Sequence, residues 1–229
     1  MLLDKQLHFY ARGVQNDTTV MLAFEPRQSS KLYEDYFPVV WSKPIEGWKY
    51  TASLTTEQEV FTFRKQGHPK KTVRYTPRVA FAYAQADHNS LVECAGWVEI
   101  RDDINNGTSP MGRNNASGPG TMRAYCKNGS KRRADLSIGL LKGDPNYQHY
   151  EPICLWPGVE SRSDIIAHFK PIVSAYVTRD YKVNEMIHRK VEADAIWTQN
   201  LDQIDDITGW NLTEDPITGK FSIERTSTW

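Results

Sequence analysis

Apolar and polar residues alternate along most of the chain, and the clearest example lies near its middle. Val79, Phe81 and Tyr83 take every second position, the turn-forming run ADHNS follows, and the alternation then resumes. A period of two is typical of half-buried strands, so this stretch predicts a β-hairpin. In its second strand, NSLVECAGWVEIRDD, strict alternation puts Trp97 on the face opposite Cys94.

The same alternation recurs towards both ends of the chain. It predicts a hairpin from LHFYA and VMLAF, another from TMRAYC and ADLSIGLL around KNGSKRR, and a third in WNLTEDPITGKFSIER. Residues 105–120 are rich in Gly, Pro and Asn and predict a long loop. Many short strands separated by turns are typical of an antiparallel β-sandwich or jelly roll; a β-barrel with an internal cavity is the alternative.

The pattern changes after about residue 160. SRSDIIAHF begins with a Ser/Asp capping signal and carries apolar residues at helical spacing, which predicts a short helix that Pro171 ends. An apolar stripe from Ile187 to Ile207 predicts a second helix. We therefore expect one β-rich domain over residues 1–229, with one or two short helices in a late α/β segment at about 160–210.

Composition narrows the class of protein. The 229 residues carry 28 basic and 28 acidic side chains, so net charge favours neither nucleic acid nor a membrane as partner. No apolar run is long enough to span a membrane, and the N-terminus lacks a signal-peptide pattern, which favours a cytoplasmic protein. The three cysteines are widely spaced and include no CxxC pair, which indicates free buried thiols rather than disulfides or a zinc site.

One observation favours secretion instead. The chain holds an excess of N-x-S/T sequons, at Asn16, Asn106, Asn115, Asn128 and Asn211. Three of them stand in Gly- or Asn-rich stretches that form turns for other reasons. Both interpretations stay open, and a secreted protein requires that the sequons are used and that a signal peptide is missing from the numbering.

The strong catalytic and nucleotide-binding motifs are absent from the sequence, including GxxxxGK[ST], GxSxG and HExxH. No two of the six histidines lie within four residues of each other, so no local metal pair exists, and we predict neither a metal nor a cofactor. His88 and His149 are weak candidates for a catalytic base, and only if the fold forms a cavity around one of them.

Charge is uneven along the chain although it sums to zero. Residues 64–78 and residues 111–133 each carry six Lys or Arg side chains and no acid. If the two segments met on one face, they would form a patch for phosphate or a nucleic-acid backbone, with Tyr75 and Tyr125 able to stack on bases. The alternative is that these cations protect sheet edges from pairing with other molecules.

Trp97 is the best candidate for a ligand contact, because acids and amides surround it in sequence. An aromatic ring with nearby carboxylates is a common way to hold a sugar. Glu93 and Glu99 cannot form a glycosidase pair, since six strand residues separate them by about 20 Å. The candidate ligand residues are Trp97, Glu99, Asp102, Asn106, Asn114 and Asn115. The alternative for Trp97 is a packing role under a loop or helix.

The leading hypothesis is a soluble, lectin-like β-sandwich that binds a small molecule or a glycan. The second is an enzyme that acts on a small organic substrate by acid/base chemistry in a cavity. The third is an anion- or nucleic-acid-binding protein of a structural or viral assembly, which we favour less. Association into an oligomer is compatible with all three.

Overall fold

The computed structural model describes residues 4–15, 18–24, 36–41, 61–63, 70–87, 90–100, 113–116, 122–143, 147–177, 186–187 and 194–226. Seventeen strands lie in these stretches, together with one 3-10 turn at Leu201–Gln203. The strands are β1 Lys5–Ala11, β2 Thr18–Phe24, β3 Phe37–Pro38, β4 Val40–Trp41, β5 Phe61–Phe63, β6 Lys70–Tyr75, β7 Val79–Asp87, β8 Ser90–Glu99, β9 Arg113–Ala116, β10 Met122–Lys127, β11 Ala134–Lys142, β12 His149–Val159, β13 Asp164–Phe169, β14 Ile172–Val177, β15 Trp197–Asn200, β16 Ile207–Glu214 and β17 Phe221–Thr226.

The described strands form four sheets. Their orders are β17-β16-β1-β6, β13-β10-β9, β3-β12-β11-β7-β8 and β15-β14-β2-β4, with β5 also paired to β2. Neighbouring strands are antiparallel, except that β1 and β16 run parallel. The short segment from 36 to 41 joins two sheets, because β3 pairs with β12 while β4 pairs with β2.

One apolar core joins the four sheets. Its largest cluster takes Phe9, Phe24, Leu140 and Ile165 from four different sheets, and all four side chains are buried. The aromatic rings pack in tilted and edge-to-face pairs, for example Phe24 with Trp41 at 4.6 Å between centroids. Burial of each such large side chain contributes about 1.5–3 kcal/mol. The predicted mainly-β, antiparallel sandwich is therefore confirmed.

The helix predicted at SRSDIIAHF is wrong, because this stretch forms β13. Ile165, Ala167 and Phe169 are buried, while Ile166 between them is exposed, so the apolar residues follow a period of two. In a run this short, a helix and a strand place their apolar residues at many of the same positions. The pairing with β10 shows that this stretch is a strand.

The second predicted helix is likewise not found in the part of its stripe that the structure describes. Residues 197–200 form β15, and the apolar residue Leu201 begins the 3-10 turn. Ile207 then begins β16. Residues 188–193 lie outside the described residues. The late segment at 160–210 is thus built from strands, turns and the 3-10 turn wherever it is described.

A second, smaller apolar layer covers part of the outer face of the sheet β3-β12-β11-β7-β8. Val39, Leu91, Leu155 and Met186 form a buried cluster there, and Cys94 packs against it. Val39 and Met186 also form an isolated antiparallel bridge. This cluster covers the β8 residues near Leu91, at the opposite end of the strand from Glu99.

Candidate ligand-binding surface

Trp97 owes its orientation to a bulge in β8. Phe81 pairs with Val98 but Tyr83 pairs with Ala95, so β8 contains one residue more than β7 over this interval. Gly96 lies inside the bulge with φ of +62°, a left-handed conformation that glycine adopts readily. A bulge of one residue reverses the alternation beyond it.

The reversal corrects the predicted faces of β8. Cys94 also packs on another buried cluster on the outer face of this sheet, formed by Ala80, Ala82, Leu141 and Tyr150. Trp97 stacks on Tyr150 of this cluster. Cys94 and Trp97 therefore share a face, where strict alternation had separated them. Val98 packs against the main core, on the face opposite Trp97.

Tyr150 supports one side of the Trp97 indole. The two rings are nearly parallel, with 6° between their planes and 6.2 Å between their centroids. Tyr150 is itself fixed, because its hydroxyl lies 2.9 Å from the Ser137 hydroxyl. Its ring also fills the space beside Gly139, where an added Cβ would lie 2.6 Å from the Tyr150 Cζ. Trp97 thus packs on a rigid base.

The polar edge of the indole is held as well. Trp97 Nε1 donates to Gln148 Oε1 at 3.3 Å. Trp97 nevertheless stays 36% exposed, and Tyr147, next to Gln148 in the chain, is 82% exposed. The result is an aromatic surface at one end of the sheet whose main ring is both oriented and accessible.

Glu99 lies two residues beyond Trp97 and binds an arginine. Its two carboxylate oxygens accept from Arg78 Nε at 2.7 Å and from Arg78 Nη2 at 3.1 Å. The hydrogen bond to Glu99 is also the main reason that the pKa of Arg78 is raised. Arg78 Nη1 further donates to the Gly143 carbonyl at 2.8 Å. The predicted acceptor is therefore a carboxylate in a fixed position.

The described contacts of Trp97 include none of the remaining predicted ligand residues. Asp102 and Asn106 lie outside the described residues. Asn114 and Asn115 belong to β9, which pairs with β10 in the three-stranded sheet. The predicted Asn-rich rim therefore has no support from the described contacts of Trp97.

The two histidine candidates can be compared in the same way. His88 lies outside the described residues. His149 begins β12, is exposed, and stands opposite Lys142 in the strand register. Within the described residues, no group of three His, Cys, Asp or Glu side chains is arranged to hold a metal ion.

Sequence reasoning missed a buried charged cluster between the sheets. Lys142 Nζ lies 2.6 Å from Glu151 Oε2, which also accepts from Trp41 Nε1 at 3.0 Å. Burial lowers the pKa of Lys142, and the partner Glu151 acts in the opposite direction. A signal was present in the sequence, because position 142 continues the every-second-residue series of core-facing side chains that runs through β11 from Leu136 to Leu140.

Asn128 is a second buried polar residue with a clear role. Its side chain is fully buried, and its amide nitrogen donates to the carbonyls of Arg132, Val159 and Glu160 at 3.0, 2.8 and 3.3 Å. Its Oδ1 accepts from the Ser130 backbone N–H at 3.0 Å. A glycan on this sequon is incompatible with the fold, because the amide nitrogen that would carry it is enclosed.

The two basic segments reach opposite ends of one strand. Arg78 binds the carbonyl of Gly143, just beyond the end of β11, whereas Arg133 directly precedes its first residue. The strand between these two points spans about 26 Å at 3.3 Å per residue. At these points the two segments are therefore far apart, which gives no support to the single patch that the sequence allowed.

Comparison with protein-family models, with curated proteins and with solved structures finds no match to this chain. In the described residues, no helix is both long enough and apolar enough to cross a membrane.

Proposed function

We propose that this protein binds a carbohydrate, or another small ligand with both polar and apolar faces, on the surface around Trp97. The observation that supports the proposal most is that the Trp97 ring is held in one orientation and is still exposed. Tyr150 stacks against the indole and Gln148 binds its N–H, while Trp97 remains 36% exposed. A ring that is oriented before binding loses little conformational entropy when a ligand packs on it.

The chemistry of the neighbouring groups suits a sugar. The apolar C–H face of a pyranose packs on an aromatic ring, and its hydroxyls bond to fixed polar groups beside it. Gln148 provides an amide next to the indole, and Glu99 provides a carboxylate that Arg78 holds in place. Tyr147 adds a second exposed aromatic ring next to Gln148.

A glycan array with the intact protein tests the proposal, and we expect a signal that the Trp97→Ala variant loses. Loss of the ring contact should weaken binding at least tenfold, or about 1.4 kcal/mol. Trp97→Phe keeps an aromatic face and should retain part of the signal. Ile217→Ala is the matched control, because Ile217 is a highly exposed apolar residue in the turn between β16 and β17.

Circular dichroism must show that each variant is folded, since Trp97 also packs on Tyr150. A silent array for the wild-type protein, or an unchanged signal from folded Trp97→Ala, would overturn the proposal.

A further inference from the structure

The three-stranded sheet β9-β10-β13 has one buried face and one outer face. Ala124, Cys126, Ile165 and Ala167 are buried in the main core. The residues that alternate with them are less buried: Tyr125 and His168 are half-buried, while Lys127, Asp164 and Ile166 are exposed. This outer face therefore carries mixed aromatic, charged and apolar residues.

Strand register gathers further basic residues around Tyr125. Arg113 stands opposite Tyr125 on one side and Ile166 stands opposite it on the other. In the next row, Arg123 lies between Asn115 and His168. Since residues opposite each other in antiparallel strands share a face, Arg113 and Arg123 occupy positions on the same face as Tyr125.

The loop after β10 extends the basic surface. Lys131, Arg132 and Arg133 are all exposed. The buried Asn128 fixes this loop through its bonds to the carbonyls of Arg132 and Val159. Arg162 is also exposed, and its backbone N–H donates to the Asn128 carbonyl at 2.9 Å. The loop thus holds its cations on a rigid backbone.

We call these residues the basic face. Its basic positions are Arg113, Arg123, Lys127, Lys131, Arg132, Arg133 and Arg162. The acids closest to them in the chain are Asp135, Glu160 and Asp164. Asp135 accepts from the Gly158 backbone N–H, and Glu160 lies 3.6 Å from Arg133. Five of these basic residues, Lys127, Lys131, Arg132, Arg133 and Arg162, are exposed, and with three acids nearby they leave an excess of positive charge next to the half-buried Tyr125.

We propose that the basic face binds single-stranded nucleic acid. Lysine and arginine side chains neutralise backbone phosphates, and an aromatic ring between them stacks on an unpaired base. Tyr125 is the residue that favours a single strand, because the bases of a duplex are already stacked on each other. This surface belongs to a different sheet from Trp97, so the inference does not depend on the proposed ligand site.

Fluorescence anisotropy with a labelled oligothymidylate of about 20 nucleotides tests this proposal. We expect binding at low salt that weakens steeply as salt rises. The double variant Lys131→Ala/Arg132→Ala should bind more weakly, with a salt slope smaller by about 1.4 if both side chains contact phosphates. Lys220→Ala, which removes an exposed cation from the turn between β16 and β17, should leave binding unchanged.

Tyr125 provides the second arm of the experiment. Tyr125→Ala should weaken binding of the oligothymidylate about tenfold, whereas Tyr125→Phe keeps the stacking ring and should bind like the wild type. Circular dichroism checks that both variants fold. Trp97→Ala should not affect binding.

Three results would overturn the inference: no binding at low salt, equal affinity for a duplex of the same length, or full affinity in a folded Tyr125→Ala variant. Equal affinity for heparin combined with an unchanged Tyr125→Ala variant would identify a general polyanion surface instead.

Discussion

At the scale of single residues, the thiols show how burial changes chemistry. Cys94, Cys126 and Cys154 are all free, as the spacing in the sequence predicted. Burial raises the pKa of Cys94 to about 11 and that of Cys126 to about 12, because a thiolate is poorly solvated there. These thiols are therefore poor nucleophiles at neutral pH.

The raised pKa of Cys126 gives a prediction for stability at high pH. A thiol whose pKa is higher in the folded state stabilises the fold fully below its unfolded value of 9.0, and this contribution is lost as pH rises towards 12. Between pH 8 and pH 10.5 the Cys126 thiol should cost the wild type roughly 2 kcal/mol of unfolding free energy.

Urea unfolding of the reduced protein at the two pH values measures this loss. The Cys126→Ala variant should lose less stability over the same interval, even though its stability at pH 8 is lower from the missing packing. Equal losses in the two proteins would show that the pKa of Cys126 is the same in the folded and unfolded states.

The buried pair of Lys142 and Glu151 shows what residue-level reasoning could not supply. Position 142 continues the core-facing series of β11, but a sequence does not show that Lys142 meets Glu151. The meeting depends on the pairing of β11 with β12, in which Leu140 stands opposite Glu151. Trp41, from a third strand, completes the cluster.

At the scale of elements, the sequence predicted strands better than their partners. The hairpins of β7 with β8 and of β16 with β17 are confirmed. The other two predicted hairpins are wrong: β1 and β2 belong to different sheets, and so do β10 and β11. Alternation reflects the burial of one face, which a strand achieves equally well with a distant partner.

The bulge in β8 gives a prediction at this scale. Gly96→Val should destabilise the protein by about 1–2 kcal/mol, because a β-branched residue is strained at a φ of +62°. Among the described residues, the neighbour that an added Cβ would meet is Tyr83, at an ordinary contact distance of 3.7 Å. Gly96→Asn should therefore cost less, as asparagine adopts this conformation more readily.

Thermal unfolding of the two variants measures the difference. Equal destabilisation by asparagine and valine would argue against backbone strain as the cause. The same bulge explains why alternation alone does not predict the faces of β8. One inserted residue reverses which side chains face the core, and Gly96 is the only residue of the bulge whose type indicates it.

At the scale of the whole molecule, the shared core leads us to propose that the described strands form one domain. The largest apolar cluster includes side chains from all four sheets, so no sheet buries its inner face alone. We therefore expect one cooperative unfolding transition.

Far-ultraviolet circular dichroism and tryptophan fluorescence, followed through the same denaturant titration, test this expectation. Four of the five described tryptophans, Trp41, Trp156, Trp197 and Trp210, are buried and belong to the shared core. The two probes should give coincident curves. Two separated transitions would indicate independent domains.

The measurement that tests the central claim most directly is calorimetric titration with the strongest ligand from the glycan array. Wild-type protein and folded Trp97→Ala are compared under the same conditions, with Ile217→Ala as the control. We predict that Trp97→Ala binds at least tenfold more weakly while the control matches the wild type. Equal affinity in all three proteins would show that Trp97 packs on Tyr150 without serving as the ligand platform.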